Sequence, residues 1–271
     1  MRNKLDTYLH EINLSSGDIR ILIQLAGAIL LLIITLLFYF FNSKRNRHLE
    51  SLLKKVTGKN YIVRVLPMDQ PNGFCFGGVG NSIFLTKGLI KILNEREVIS
   101  VCLHEAGHIT NLDSIKMGAL SLANFGVTSY MIQSLTKKMT VVSNAELRML
   151  FSIVVFIILV SYSVKVTSIF LDKINEYRAD KYTVKFGYGN DLISALTKLE
   201  NWVKEYKFKV YGEETKFEKF MDKIQGIVDA HPSTENRVKA LFESVEMYEA
   251  MLENNSEKIK KVIHKFLFEG A

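Results

Sequence analysis

The segment Glu95-Arg96-Glu97-Val98-Ile99-Ser100-Val101-Cys102-Leu103-His104-Glu105-Ala106-Gly107-His108-Ile109-Thr110-Asn111 decides how the rest of the chain is read. Its apolar residues recur at helical spacing, and Asn94 ahead of it, with Glu97 three positions on, has the form of a capping box. The segment is therefore predicted to be a helix. Residues i and i+4 of a helix share a face, so the imidazoles of His104 and His108 can point at one ion about 2.0–2.1 Å away. Glu105, one residue along, flanks such an ion without ligating it, placed to take a proton from metal-bound water. The five-residue pattern alone arises by chance in roughly one chain in a hundred of this length, and two histidines on an ordinary helix is the alternative.

A catalytic zinc ion usually takes three protein ligands and keeps a fourth position open. The third is sought downstream in Asn175-Glu176-Tyr177-Arg178-Ala179-Asp180, where Glu176 and Asp180 again share a helix face. One of the two can ligate while the other accepts a hydrogen bond from the free ring nitrogen of a ligand histidine. A solvated acidic face paired with Arg178 or Lys181 is the alternative. For His104 and His108 to meet Glu176, the chain between them must cross a membrane an even number of times or not at all.

Crossing is at issue because of how the apolar residues are distributed. The 271-residue chain is 48% hydrophobic and 23% charged, with two cysteines and a net charge of +7. That excludes a disordered chain and a disulfide framework. Ile21–Phe41 holds no charged residue, and at about 1.5 Å per residue it matches a hydrocarbon core of roughly 30 Å, so it reads as a transmembrane helix behind a polar leader, residues 1–20. Met117–Thr136 and Met149–Val164 are also free of charge. With the chain up to Leu171 they read as a hydrophobic helical hairpin, 117–171, inserted in the membrane; two buried helices of a soluble domain is the other reading. Arg2, Lys4 and Arg20 precede the first span, whereas Lys44, Arg45, Arg47, Lys54, Lys55 and Lys59 follow it, which puts the C-terminal side in the cytoplasm. The basic excess thus belongs to topology, and no nucleic-acid motif accompanies it. Residues 42–116 and 172–271 form the polar domain. Helical stripes recur in Leu192–Trp202 and Val238–Leu252, and strand signals lie at Tyr61–Leu66 and Ser82–Leu85 between Pro71-Asn72-Gly73 and Gly77-Gly78-Val79-Gly80. The expected fold class is α+β, mainly helical, with a small β-sheet and transmembrane helices. Cys75 and Cys102 are expected to be small buried residues in a reducing compartment.

From about Val63 to Ser244 the sequence resembles the HtpX-like membrane zinc peptidases, which include the type I CAAX prenyl proteases. The resemblance rests on Asn72–Gly78, Ile83–Leu89, His104–His108 with Asp113, Glu176–Asp180, Ile193–Leu196 with Leu199, and His231–Arg237. It implies a gluzincin-type domain in which His104, His108 and Glu176 bind Zn2+, Glu105 is the general base, and Asp180 and Asp113 support the ligands. It also implies that His231 stabilises the oxyanion and that Arg237 holds its segment; a His-Pro turn capping a helix is the plain alternative for these two. The expected activity is a multi-pass, membrane-bound zinc endopeptidase with a cytoplasmic catalytic domain. Its partners would be polypeptide substrates, membrane or misfolded proteins, and the lipid membrane itself, with no nucleic acid. A signalling peptidase that cleaves one regulator and a non-catalytic membrane scaffold are the alternatives. No oligomeric state is implied.

Overall fold

The computed structural model describes chiefly residues 37–77, 80–138, 173–211 and 232–253, with scattered positions in 26–35, 147–158 and 257–262. The chain divides into two compact units, residues 1–42 with 118–165, and residues 43–117 with 166–271.

The second unit is built on a four-stranded mixed sheet. Strands β1 (Lys44–Arg45), β2 (Ile62–Leu66), β3 (Gly73–Phe76) and β4 (Ser82–Thr86) lie in the order β1-β2-β4-β3. β2 runs parallel to β4, with Val63 opposite Ile83, and both edge strands are antiparallel to their neighbours. β4 is buried along its whole length, as a central strand covered on both faces must be. The strands expected at Tyr61–Leu66 and Ser82–Leu85 are β2 and β4. β3 falls between the two turn signals and doubles back onto β4 through Gly80 and Asn81, both with positive φ, 75° and 44°. β1 is two residues long, too short for any alternation to be legible.

Helix α1 (Arg47–Thr57) is capped by the Asn46 side chain and ends on Gly58 in the left-handed conformation. Helix α2 (Lys87–Ile92) leads into α3 (Glu95–Thr110), where the capping box is formed: the Glu97 backbone N–H donates to Asn94 Oδ1 at 3.0 Å, and the Asn94 N–H donates to Glu97 Oε2 at 2.8 Å. α3 is buried along nearly its whole length. Leu103, Ala106 and Cys102 pack into a core with Leu53, Val63, Ile83, Leu85, Leu192 and Leu241. After α4 (Asp113–Lys138), the helix α5 (173–185), α6 (Gly189–Tyr211) and α7 (Thr234–Leu252) complete the unit. α6 and α7 contain the two helical stripes read from the sequence.

Among the described residues, no helix is long and apolar enough to cross a membrane. Met117–Thr136 lies within α4, where Ser121, Asn124, Ser129 and Gln133 dilute the apolar residues. Residues 21–25, 28, 31, 32 and 36 of the first span and most of 149–171 lie outside the described residues, as does the leader, residues 1–20.

Candidate metallopeptidase site

His104 and His108 project from one face of α3, one turn apart, as their spacing requires. Facing them is α5, which brings up Glu176 and Asp180. The two helices meet where Gly107 lies against Ala179: a Cβ on Gly107 would stand 2.8 Å from Ala179 Cα and 3.1 Å from Tyr182 Cβ. A glycine is therefore needed in the motif so that the acidic helix can come close enough to reach the histidines.

That approach gathers three ligand atoms. The two Nε2 atoms are 3.1 Å apart, His104 Nε2 is 3.3 Å from Glu176 Oε2, and His108 Nε2 is 3.5 Å from Glu176 Oε1. An ion bound tetrahedrally at about 2.0–2.1 Å has its ligand atoms roughly 3.3–3.5 Å from each other. The two Glu176 distances run to different carboxylate oxygens, and with one atom counted per residue the three ligands lie within 4.8 Å of one another, compact enough to hold a metal ion. No other group of three or more His, Cys, Asp or Glu side chains suited to a metal occurs among the described residues.

The far ring nitrogens are also held. His104 Nδ1 lies 2.9 Å from Asp180 Oδ1, and His108 Nδ1 lies 2.9 Å from Asp113 Oδ2. A Nδ1–H donating to a carboxylate leaves Nε2 with its lone pair toward the ion, the orientation a metal ligand requires. Asp113 gets there through a tight turn in which Leu112 has φ of 58°, an unfavourable conformation for a branched side chain. Arg237, on the first turn of α7, donates from Nε and Nη2 to the two oxygens of Asp180 at 3.0 and 2.7 Å. Its Nη1 is 2.9 Å from Glu176 Oε2. One buried guanidinium thus fixes both carboxylates, which a lysine could not do in the same geometry.

The charges of the site follow from this packing. Burial acts to lower the pKa of His104, but the hydrogen bonds that its ring N–H groups donate to the Asp180 and Glu176 carboxylates outweigh it and raise the imidazole to about 9 in the metal-free protein. His108 is raised for the same reason, with Glu176 opposing its burial. Burial acts to raise Asp180, yet the hydrogen bonds from His104 and Arg237 hold it below the usual carboxylate range.

Glu105 is buried beside the ligands, and the edge strand β3 closes over it. A Cβ on Gly73 would lie 3.7 Å from Glu105 Oε1, and the Cys75 thiol neighbours the Glu105 carboxylate. Burial and that negative neighbour push the Cys75 thiol well up, so it is a neutral thiol; it is half-buried rather than buried as expected, because β3 is an edge strand. Cys102 is fully buried on the opposite side of α3. The Cys75 contact and the Gly107 approach are not readable from spacing, although a glycine inside a helical motif is a signal for close packing. The structure brings together His104, Glu105, His108, Asp113, Glu176, Asp180 and Arg237. His231 lies outside the described residues.

Two helix-borne imidazoles and a carboxylate converging on one point, with a second carboxylate alongside, place the protein among the metallopeptidases. The model of Peptidase family M48 matches residues 41–245, and the chain belongs to that family. It is 27% identical over 224 residues to a "Protease HtpX homolog" of Campylobacter concisus, covering 73% of this chain and 75% of that protein. It is 29% identical over 209 residues to a "Protease HtpX homolog" of Aquifex aeolicus, covering 72% and 69%. In fold it is similar to the crystal structure of S. mikatae Ste24p, with a TM-score of 0.59 at 17% identity, covering 86% of this chain and 59% of that one.

Proposed function

We propose that the protein is a membrane-bound zinc endopeptidase that hydrolyses peptide bonds of membrane or misfolded proteins. The observation that carries the reading is the convergence of His104, His108 and Glu176, whose two Nε2 atoms stand 3.1 Å apart with the two Glu176 carboxylate oxygens 3.3 and 3.5 Å from them, compact enough for a zinc ion. Zinc, when bound, acidifies a water and polarises the scissile carbonyl. Glu105 takes the proton from the attacking water on its carboxylate and delivers it to the leaving amine nitrogen. The close approach of β3 at Gly73 keeps that carboxylate from swinging away. Asp180, Asp113 and Arg237 hold the ligands in orientation, and His231, placed by resemblance alone, donates to the oxyanion. Membrane residence is supported by the charge-free run Ile21–Phe41, and a cytoplasmic catalytic domain by the basic residues that follow it.

The test is Glu105→Gln, which keeps size and burial and removes the base. The variant is expected to bind zinc stoichiometrically and to lose cleavage of an unfolded protein by about 10²–10⁴-fold, the usual contribution of a positioned base. Cleavage at the wild-type rate would eliminate the proposed role.

A further inference from the structure

The apolar stripe of α6 outruns the body it packs on. Leu192 and Ala195 are buried in the core, and Leu196 and Leu199 pack against it. Leu199, Trp202, Val203, Tyr206 and Val210 then continue at i, i+3, i+4, i+7 and i+11, one face of the helix. From Val203 to Val210 every residue is exposed. Val203 is 45% exposed, Tyr206 51% and Val210 51%. The Trp202 indole stacks on Tyr206 with ring centroids 5.1 Å apart. At about 100° per residue, Lys209 and Lys207 fall on either flank of this stripe, while Phe208 stands off it.

We propose that this end of α6 docks on an anionic lipid surface. The face has the components of an interfacial helix: aromatic residues with an apolar body and a polar tip, aliphatic residues between them, and lysines at both margins whose stems can follow the apolar surface while their ammonium groups reach lipid phosphates. Charge selects the occupant. Lys204, Lys207 and Lys209 stand against Glu205 between Val203 and Tyr211, and Lys204 also lies 2.8 Å from Glu200 one turn back, so the margins keep a small net positive charge; an anionic surface is attracted and a second copy presenting the same lysines is repelled. The inference does not depend on the peptidase chemistry.

Trp202 is the only tryptophan of the chain, so its fluorescence reports on this face alone. The full chain is reconstituted in bilayers of phosphatidylcholine, with and without an equal amount of phosphatidylserine, each with ordinary or brominated acyl chains. The expected result is a blue shift of Trp202 emission with phosphatidylserine and loss of that emission to the brominated chains. Both effects should be lost in Lys207→Glu/Lys209→Glu and in Val203→Asp/Val210→Asp, and weakened by salt. These variants alter exposed side chains, and wild-type zinc content and peptide cleavage show that they remain folded. Quenching that is equal without phosphatidylserine overturns the proposal, as does an emission insensitive to bromination. An emission already shielded without anionic lipid, or shielded only on adding an unfolded polypeptide, assigns the face to the protein itself or to substrate and equally overturns it.

Discussion

Replacing Gly107 by alanine tests how the site is assembled, because it inserts one methyl group where the two ligand-bearing helices touch. The new Cβ would lie 2.8 Å from Ala179 Cα, 3.2 Å from Ala179 Cβ and 3.1 Å from Tyr182 Cβ. These are mostly backbone and Cβ atoms, which cannot rotate away. Restoring ordinary carbon contact near 3.5 Å requires α5 to move outward by roughly 0.7 Å. Glu176 and Asp180 flank Ala179 on α5, so they move with it, while His104 and His108 stay with α3. Metal sites tolerate about 0.2 Å in ligand distance, so the displacement is some three times too large. Overpacking costs about 1–3 kcal/mol, and alanine returns about 1 kcal/mol of helix propensity. The metal-free fold should therefore lose only about 0–2 kcal/mol. Zinc affinity should fall about 10–100-fold, the size of effect seen when ligand orientation is disturbed. Competition against a chelator measures the affinity, and melting with and without zinc separates it from stability. Wild-type affinity in Gly107→Ala would refute the argument that this contact sets the ligand triangle.

Arg237→Lys keeps the charge and removes the bidentate grip on Asp180, so zinc affinity is expected to drop about tenfold or more, with little recovery over Arg237→Gln; chelator competition on both variants checks this. The metal-free protein should lose stability as pH rises, because His104 is raised to about 9 and its protonated pairing with Asp180 and Glu176 is fully present only below its ordinary value of about 6.5. Zinc binding displaces that proton, so affinity should climb with pH up to about 9 and binding should release protons, measurable by calorimetry in buffers of different ionisation heat. Glu97, buried at the start of α3, accepts from the Ser194 hydroxyl and the Lys198 ammonium at 2.7 and 2.8 Å, which hold its carboxyl below the usual range against the effect of burial. That stability is present above the ordinary glutamate range and is lost as pH falls through the folded value; Lys198→Ala should cost about 1–3 kcal/mol in a denaturant titration at neutral pH and should flatten the acid limb.

How much of this was written in the sequence depends on how local the interaction is. The capping box of Asn94 and Glu97, the shared face of His104 and His108, and that of Glu176 and Asp180 all follow from helix geometry over four residues. The two longer sheet strands were legible for the same reason. β1 was not, since a two-residue pairing has no periodicity, and the Asp113 turn was not, since it places Leu112 rather than glycine at positive φ. Arg237 could be tied to the site only by resemblance, because nothing local connects α7 to α5.

The sequence by itself determined the chemistry on offer: which side chains stand on which helix face, and that a histidine pair and an acidic pair exist in one chain. Only the tertiary structure decided that the pairs meet, with Glu176 turned to the metal position and Asp180 to the back of His104. It also decided that Asp113 answers His108. The physical reason is that a helix fixes residues relative to its own axis, whereas the distance between two helices is set by what packs between them. Here that is a glycine against an alanine.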